Sequence, residues 1–344
     1  MRDMTLLWAF RSPCNLGCRY CYFGTIEEDR AKPRAQPGQL SHRSRNDVSL
    51  ANIMAFLGSL ADSAVQRVFI AGGEPLIWPS VFAVVEAIKA AGAEVVLCTN
   101  GVLLNRSDIT GQIIELGVDG VSVSLDSADP VHNDRYRPSR NGQHDWADVI
   151  AGIRALLAAR GDQRAPKVGI YTVVTRRNLT AVSEVACLAA NLGADYYVPQ
   201  PISLASDHRL YAELALRDSD ELALAAALDG LYQVGIAIGL PERSYSRLLL
   251  STIATDTQMA PGCFGGHRLA FIEPDGSVWP CPSRYKIAAT SPAQHRTIRG
   301  NHAAELFGLE RRTCPLDCAL MSTDCVNMWP LMSFDRFLYP TESP

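Results

Sequence analysis

From residue 4 to about 202, short apolar runs alternate with segments whose apolar residues return every three or four places. The runs are Thr5–Phe10, Arg67–Ala71, Glu94–Cys98, Gly120–Leu125, Val168–Val174 and Asp195–Pro199. They are short, continuous and rich in β-branched residues, as strands buried on both faces of a parallel sheet should be. Helical stripes fall between them. One comprises Leu50, Ile53, Met54, Leu57 and Leu60; a second comprises Val81, Val84, Val85 and Ile88 and is closed by Gly92. A third, Trp146, Val149, Ile150, Ile153 and Leu157, stops at Gly161, and a fourth, Val182, Val185, Leu188 and Leu192, stops at Gly193. Glycine just past the last apolar position is a common helix stop. Six βα units predict an α/β fold, a parallel barrel or an open, barrel-like arc. Chemistry in such folds sits on the loops that follow the C-terminal ends of the strands.

The pattern divides the chain into a core over residues 1–202, a mainly helical connector over 203–260 and a turn-rich tail over 261–344. Residues 25–47 form an insertion rich in Arg, Pro and Gln. It reads equally as a lid over the first strand's loop or as a solvated surface loop.

Composition narrows the function. Of 344 residues, 47% are hydrophobic and 20% charged, which is a globular balance. The net charge of −4 and a pI near 6.0 argue against a protein held to nucleic acid by bulk charge. Apolar stretches are interrupted by charge, as in Glu221 to Asp229, and none approaches the roughly 20 residues of a membrane span. The start, Met-Arg-Asp-Met-Thr, lacks the apolar region of a signal peptide. A cytoplasmic location is therefore expected, and there the ten cysteines point to metal binding or redox chemistry rather than disulfides.

Three of the ten lie in Arg11-Ser-Pro-Cys14-Asn-Leu-Gly-Cys18-Arg-Tyr20-Cys21, at the end of the first strand. Soft thiolates select zinc, copper(I) or iron–sulfur clusters. Structural zinc takes four ligands, and here no fourth cysteine or histidine is near, the next histidine being His42. A cubane held by three cysteines keeps one iron open for a ligand. The second run ends in Gly72-Gly73-Glu74-Pro75, where two glycines admit a close backbone approach and a carboxylate follows. The third ends in Thr99-Asn100-Gly101, and the fourth, Val121 to Asp126, leads into His132-Asn-Asp-Arg135-Tyr-Arg137.

These motifs together resemble the radical SAM enzymes over residues 4–202. The resemblance implies a partial (β/α)6 TIM-like barrel. It implies a 4Fe–4S cluster on Cys14, Cys18 and Cys21, with the aromatic Tyr20 before the last ligand. The open iron would chelate S-adenosylmethionine (SAM), whose reductive cleavage gives a 5′-deoxyadenosyl radical that abstracts a substrate hydrogen atom. It further implies SAM contacts from Tyr20, Gly72, Gly73 and Glu74, with Glu74 receiving the methionine ammonium. By position in relatives with an extra cluster domain, Ser124 and either Arg135 or Arg137 join that set. An external one-electron donor such as a flavodoxin or ferredoxin is the implied partner.

Five more cysteines lie in the tail: Cys263, Cys281, Cys314, Cys318 and Cys325. Pro274-Asp275-Gly276 predicts a hairpin that brings Cys263 toward Cys281. Gly276-x4-Cys281 resembles an element of the SPASM/twitch subfamily, whose C-terminal domain carries auxiliary clusters. The full SPASM pattern has more cysteines, and the position four after Cys325 is Trp329. The expectation is therefore one auxiliary 4Fe–4S cluster on Cys263, Cys281 and two of Cys314, Cys318 and Cys325. A zinc ribbon is the rival. Cys98 and Cys187 read as small core hydrophobes.

An auxiliary cluster favours a net oxidation or an oxidative cross-link. Relatives that carry out such chemistry modify ribosomal peptides or oxidise small alcohols such as aminocyclitols. The peptide substrate is preferred here because that class is the more populated. With the first strand starting near residue 5, no leader-binding domain is expected before the barrel, so a separate protein would present the leader. A cluster protein that transfers electrons without catalysis is the third reading. The base some relatives carry directly after the Gly-x4-Cys cysteine is replaced here by Pro282, and Glu273, Asp275, Arg284 and Tyr285 lie close in sequence.

Overall fold

The structure, a computed structural model, describes residues 2–21, 46–204, 206–233, 235–251, 253, 258–261, 263–283, 286–287, 289–309, 317–321 and 323–339. The expected lid or loop over 25–47, apart from Asn46 and Asp47, lies outside these residues, as do Cys314, Arg284 and Tyr285.

Six parallel strands form the frame: β1 (Met4–Arg11), β2 (Val65–Gly72), β3 (Glu94–Thr99), β4 (Gly120–Ser124), β5 (Lys167–Val174) and β6 (Tyr196–Pro201). They follow one another in sheet order without reversal, and the sheet is an open arc. The helices between them are α1 (Leu50–Leu57), α2 (Val81–Ala90), α3 (Ser107–Glu115), α4 (Pro130–Tyr136), α5 (Trp146–Arg160) and α6 (Val182–Leu192). This is the partial barrel that the alternation predicts. Ser49 starts α1 by accepting the Asn52 N–H at 3.3 Å. Asp145 and Asp148 make a reciprocal capping box on α5, and left-handed Gly193 ends α6. Helix α3 carries no stripe in the sequence reading, since Thr110 and Gly111 dilute its face; it packs through Ile109 and Ile113. Two longer helices of the connector follow, α7 (Glu221–Gln233) and α8 (Arg243–Ser251).

Beyond residue 261 the chain returns to the sheet. β8 (Leu269–Ile272) pairs parallel with β1, β9 (Ser277–Trp279) turns back against it, and β10 (Arg296–Thr297) completes the edge. A separate pair joins β7 (Gln258–Pro261) to β11 (Asp317–Met321). The two faces of the large sheet bury different sets. Outward residues such as Leu6, Ile70 and Val121 pack on the helices, whereas Leu7, Ala9, Phe69, Ala71, Val96 and Val198 face the hollow of the arc.

The hollow is closed at the strands' N-terminal end by residues far along the chain. Phe334 meets Phe69 and Tyr196 edge-on at centroid distances of 5.0 and 5.3 Å, and Phe337 stacks on Tyr196 at 4.7 Å. Gly169 makes room for this floor, because a Cβ there would lie 2.0 Å from the Tyr196 ring. Arg67, buried under the floor, pairs with Glu94 at 2.5 Å and with Asp335. Asp119 and Asp195 accept backbone N–H groups of Val95 (2.7 Å) and Val168 (2.8 Å) at the same end. Ion pairs and aromatic rings thus seal the bottom and leave the other end for chemistry. Phe334 is fully buried. Phe334→Ala is expected to cost about 3–5 kcal/mol of stability, measured by denaturant unfolding.

Candidate functional site

The cysteine loop leaves β1 and turns back across the end of β2. Gly73 donates its N–H to the Arg11 carbonyl at 2.7 Å, and Glu74 to the Pro13 carbonyl at 2.9 Å. A Cβ on Gly73 would lie 1.9 Å from the Pro13 oxygen, and one on Gly72, whose φ is +131°, would lie 2.5 Å from the Arg11 oxygen. The glycine pair therefore admits the cysteine loop itself. From the other side, residues 136–140 strap the loop. Gly17 donates to the Pro138 carbonyl (2.8 Å), Arg19 to Tyr136 (2.9 Å) and Arg140 to Asn15 (3.1 Å).

Glu74 is fully buried and bridges two strand ends. Oε1 accepts from Leu76 N (3.0 Å) and Thr99 Oγ1 (2.7 Å), and Oε2 from Asn100 N (2.7 Å). Burial raises its pKa, and the three hydrogen bonds oppose that rise. Its hydrogen-bond donors in this structure are therefore the protein's own backbone and Thr99. Asn100 in turn donates from Nδ2 to Asn15 Oδ1 at 2.7 Å and lies 4.0 Å from Cys14 Sγ.

The thiols are close enough to act on one another. Cys14 is pushed up to about 12, first by burial, then by Glu74, with Cys18 and Cys21 adding to it. Cys18 rises to about 11 by burial, with Arg137 opposing and Cys21 assisting. The Leu16 N–H points at Cys14 Sγ from 3.4 Å. A loop that crowds three thiols, and supplies an N–H to one sulfur, suits a cationic centre that would neutralise them. Among the described residues no three Cys, His, Asp or Glu side chains gather as around a single metal ion.

Asp126, at the end of β4, organises the rest. Its Oδ2 accepts from Tyr20 Oη (2.6 Å) and Arg137 Nη1 (2.9 Å), and Oδ1 accepts from Val173 N (2.7 Å). Tyr20 thus anchors the loop through its hydroxyl. Arg137 has a nearly buried side chain; burial works against its charge, but Cys18 and Asp126 outweigh it and hold its pKa up. Arg135 has a side chain 62% exposed and reaches Glu213 at 3.7 Å. Of the two arginines considered from the sequence, Arg137 stands at the loop. Ser124 pairs with Tyr171 at the end of β4, half-buried on the hollow side. Sequence reasoning passed over Asp126 and gave Asn100 no role; the signal for both was a polar residue directly after an apolar strand.

A second thiol set lies at the hairpin. Cys281 is buried, and its pKa is pushed up first by burial and then by Cys325, with Cys263 and Cys318 adding to it. The Gly265 N–H points at Cys263 Sγ from 3.4 Å, the same arrangement as at Cys14. Gly265 sits between the two cysteines: a Cβ there would lie 3.3 Å from Cys281 Cβ and 3.6 Å from Cys263 Sγ.

Comparison with known proteins gives consistent results. The model of the Radical SAM superfamily matches residues 12–186. An AdoMet-dependent heme synthase of Methanosarcina barkeri is 26% identical over 298 residues, covering 80% of this chain and 76% of the relative. The mycofactocin maturase MftC of Mycobacterium tuberculosis is 29% identical over 279 residues, covering 80% and 64%. Among solved structures, Streptococcus suis SuiB bound to S-adenosylmethionine aligns with TM-score 0.62 at 14% identity, over 91% of this chain and 66% of SuiB. Native anSMEcpe with bound AdoMet aligns with TM-score 0.60 at 17% identity, over 97% and 98%. The chain spans about two thirds of the length of MftC and SuiB. At these identities the solved structures establish the fold.

Two outcomes follow from the loop's packing. Gly73→Ala forces the loop off β2 and is expected to remove most of the iron held by Cys14, Cys18 and Cys21 after anaerobic reconstitution, read by iron analysis. Arg137→Met strands a buried carboxylate and is expected to cost about 3–5 kcal/mol in urea unfolding. Arg135→Met, at the surface, is expected to stay within about 0.5 kcal/mol of the parent.

Proposed function

Since the chain belongs to the radical SAM superfamily, whose members use a 4Fe–4S cluster and SAM, we propose that it matures a peptide by net oxidation or oxidative cross-linking, with a second, auxiliary cluster. The observation that carries the auxiliary cluster is that Gly265 seats Cys263 beside buried Cys281, with Cys325 and Cys318 also near enough to raise the Cys281 pKa. Four thiols satisfy a cubane, so these four are the ligand set we favour. Cys314, outside the described residues, is then the surplus thiol.

When bound at Cys14, Cys18 and Cys21, the first cluster and SAM supply a 5′-deoxyadenosyl radical. The chain's own residues hold that site in place. Gly72 and Gly73 let the loop lie on β2, Glu74 ties β2 to β3, and Asp126 fixes Tyr20 and Arg137. Arg137 supplies a buried positive charge beside Cys18 that favours its thiolate form. Asn15 keeps one buried N–H position on Nδ2 without a partner among the described residues, which suits an acceptor on a ligand at the loop. Ser124 and Glu74 are carried as SAM contacts on the resemblance alone.

The likeness to MftC and to SuiB, for which a structure bound to precursor peptide SuiA exists, supports the peptide substrate. A small-molecule substrate is the second reading, favoured by the likeness to the heme synthase, most of whose length the chain covers. An external one-electron donor completes the proposed system. The described residues include no helix long and apolar enough to cross a membrane.

The test is anaerobic reconstitution followed by incubation with SAM and dithionite. Deoxyadenosine above the no-protein control is expected, and its absence would overturn the catalytic reading. Iron and sulfide should reach about eight each per chain, and the triple replacement of Cys14, Cys18 and Cys21 by Ala should leave about four. A residue of zero would refute the auxiliary cluster, and zinc in its place would establish the rival ribbon.

A further inference from the structure

A cavity of about 390 Å³ lies against the tail's part of the sheet, away from the cysteine loop. Its floor is apolar. Ala270 of β8 and Val278 of β9 belong to the set that packs on the helix side of the sheet, and Leu306 and Phe307 join them from the end of a short helix, Ala303–Leu306. Leu269 and Phe271, the neighbours of Ala270, face the hollow instead. The cavity is therefore on the face of β8 that points away from the hollow. One wall is made by Gly266 and Pro280, whose backbones are joined by a 2.8 Å hydrogen bond.

The rim is cationic. Lys286 and Arg296 line the cavity, and no Asp or Glu does. Neither side chain is ion-paired among the described residues. Arg299, three residues beyond Arg296, is by contrast committed to the Asp275 and Asn46 carbonyls at 2.9 and 2.6 Å. Glu305, on the adjoining helix, accepts the His302 N–H at 3.3 Å. Gln294 adds a neutral donor to the rim. Its Oε1 accepts from Ser291 N (3.2 Å) and Oγ (3.1 Å), which leaves its amide N–H groups to donate. Thr290 steadies this segment by donating to the Lys286 carbonyl at 2.8 Å. A chain of net charge −4 thus sets two positive charges over an apolar floor, with no acid of its own in the cavity.

We propose that this groove holds an acidic, apolar segment of the peptide substrate outside the barrel, while another segment of the same peptide enters the hollow. The inference rests on the peptide reading above. The groove selects a carboxylate that meets Lys286 and Arg296, flanked by apolar side chains that cover Ala270, Val278 and Phe307. Its volume is at the low end for ligand pockets, which suits a few side chains rather than a folded partner. Charge complementarity singles out the acidic segment, because the chain's net negative charge repels it elsewhere. With one segment held, entry of the other is intramolecular, and its effective concentration rises without any new contact in the hollow.

The two cations differ in setting. Arg296 is exposed and Lys286 half-buried. An exposed pair contributes modestly and is screened by salt, so the cations act together and their share of the binding falls as ionic strength rises. The apolar floor supplies the part that salt does not reach: Leu306 and Phe307 are buried, and side chains laid over them leave water as well.

The test uses the full reconstituted chain and the fluorescence anisotropy of a labelled peptide, Leu-Glu-Leu-Asp-Phe, beside the same peptide with Lys in place of Glu and Asp. The parent should bind the acidic probe saturably and about tenfold or more tighter than the basic one. The double variant K286E and R296E should lose about tenfold or more in affinity for the acidic probe, with iron content and melting temperature kept. Raising NaCl from about 50 to about 500 mM should weaken the parent's binding several-fold. Should the double variant misfold, R296Q, at an exposed position, gives the same readout with a loss of about threefold. Equal affinity for the two probes, or for parent and variant, overturns the proposal. Displacement of the acidic probe by decanoate at matched concentration also overturns it, since the groove then belongs to a free acid. The assay needs no turnover. A parent that binds the probe but modifies no peptide with SAM and dithionite refutes the maturation reading and keeps the groove; modification without binding does the reverse.

Discussion

Everything at the open end of the barrel depends on how closely two pieces of backbone approach. The cysteine loop rests on the end of β2 with no side chain between them, since Gly73 leaves no room for a Cβ against the Pro13 carbonyl. Two backbone hydrogen bonds, Gly73 to Arg11 and Glu74 to Pro13, then set the loop's height above the sheet. Glu74 transmits that position to β3 through Thr99 and Asn100, and Asn100 returns it to the loop at Asn15. The circuit closes on itself, so the three thiols are placed by the sheet rather than by the loop's own stiffness.

A second circuit, centred on Asp126, meets the loop from the β4 side. It holds Tyr20 and Arg137 in one carboxylate's reach and draws on β5 through Val173. A buried carboxylate with a cation and two further donors is fully engaged, which is the condition under which a polar network rigidifies its surroundings. Thiol crowding works against this order. Burial and mutual repulsion keep Cys14 and Cys18 protonated well above neutrality. A positive centre taking up the sulfurs, as the superfamily implies, would relieve that crowding.

Much of this was legible in the sequence because it rests on local periodicity and tight spacing. The strand runs and stripes depend on residues a few places apart, and Cys14, Cys18 and Cys21 lie within eight residues of chain. Gly72 and Gly73 were recognisable as a close approach, but what approaches is set by tertiary packing. The choice between Arg135 and Arg137 turns on which face of α4's end meets Asp126, a contact no spacing encodes. Phe334 and Phe337 look like ordinary tail hydrophobes, although they supply the floor of the hollow.

The pairing of β1 with β8 bears on how the chain is made. During synthesis β1 emerges first and gains β2 early, but its other edge waits until residue 269 has left the ribosome. For that interval a strand of Leu, Trp, Ala and Phe presents unpaired backbone to the cell, the situation in which strands add to other chains. The floor arrives later still, with Phe334. In a nascent chain stalled between these two points, the edge of β1 that β8 later covers is still waiting for its partner.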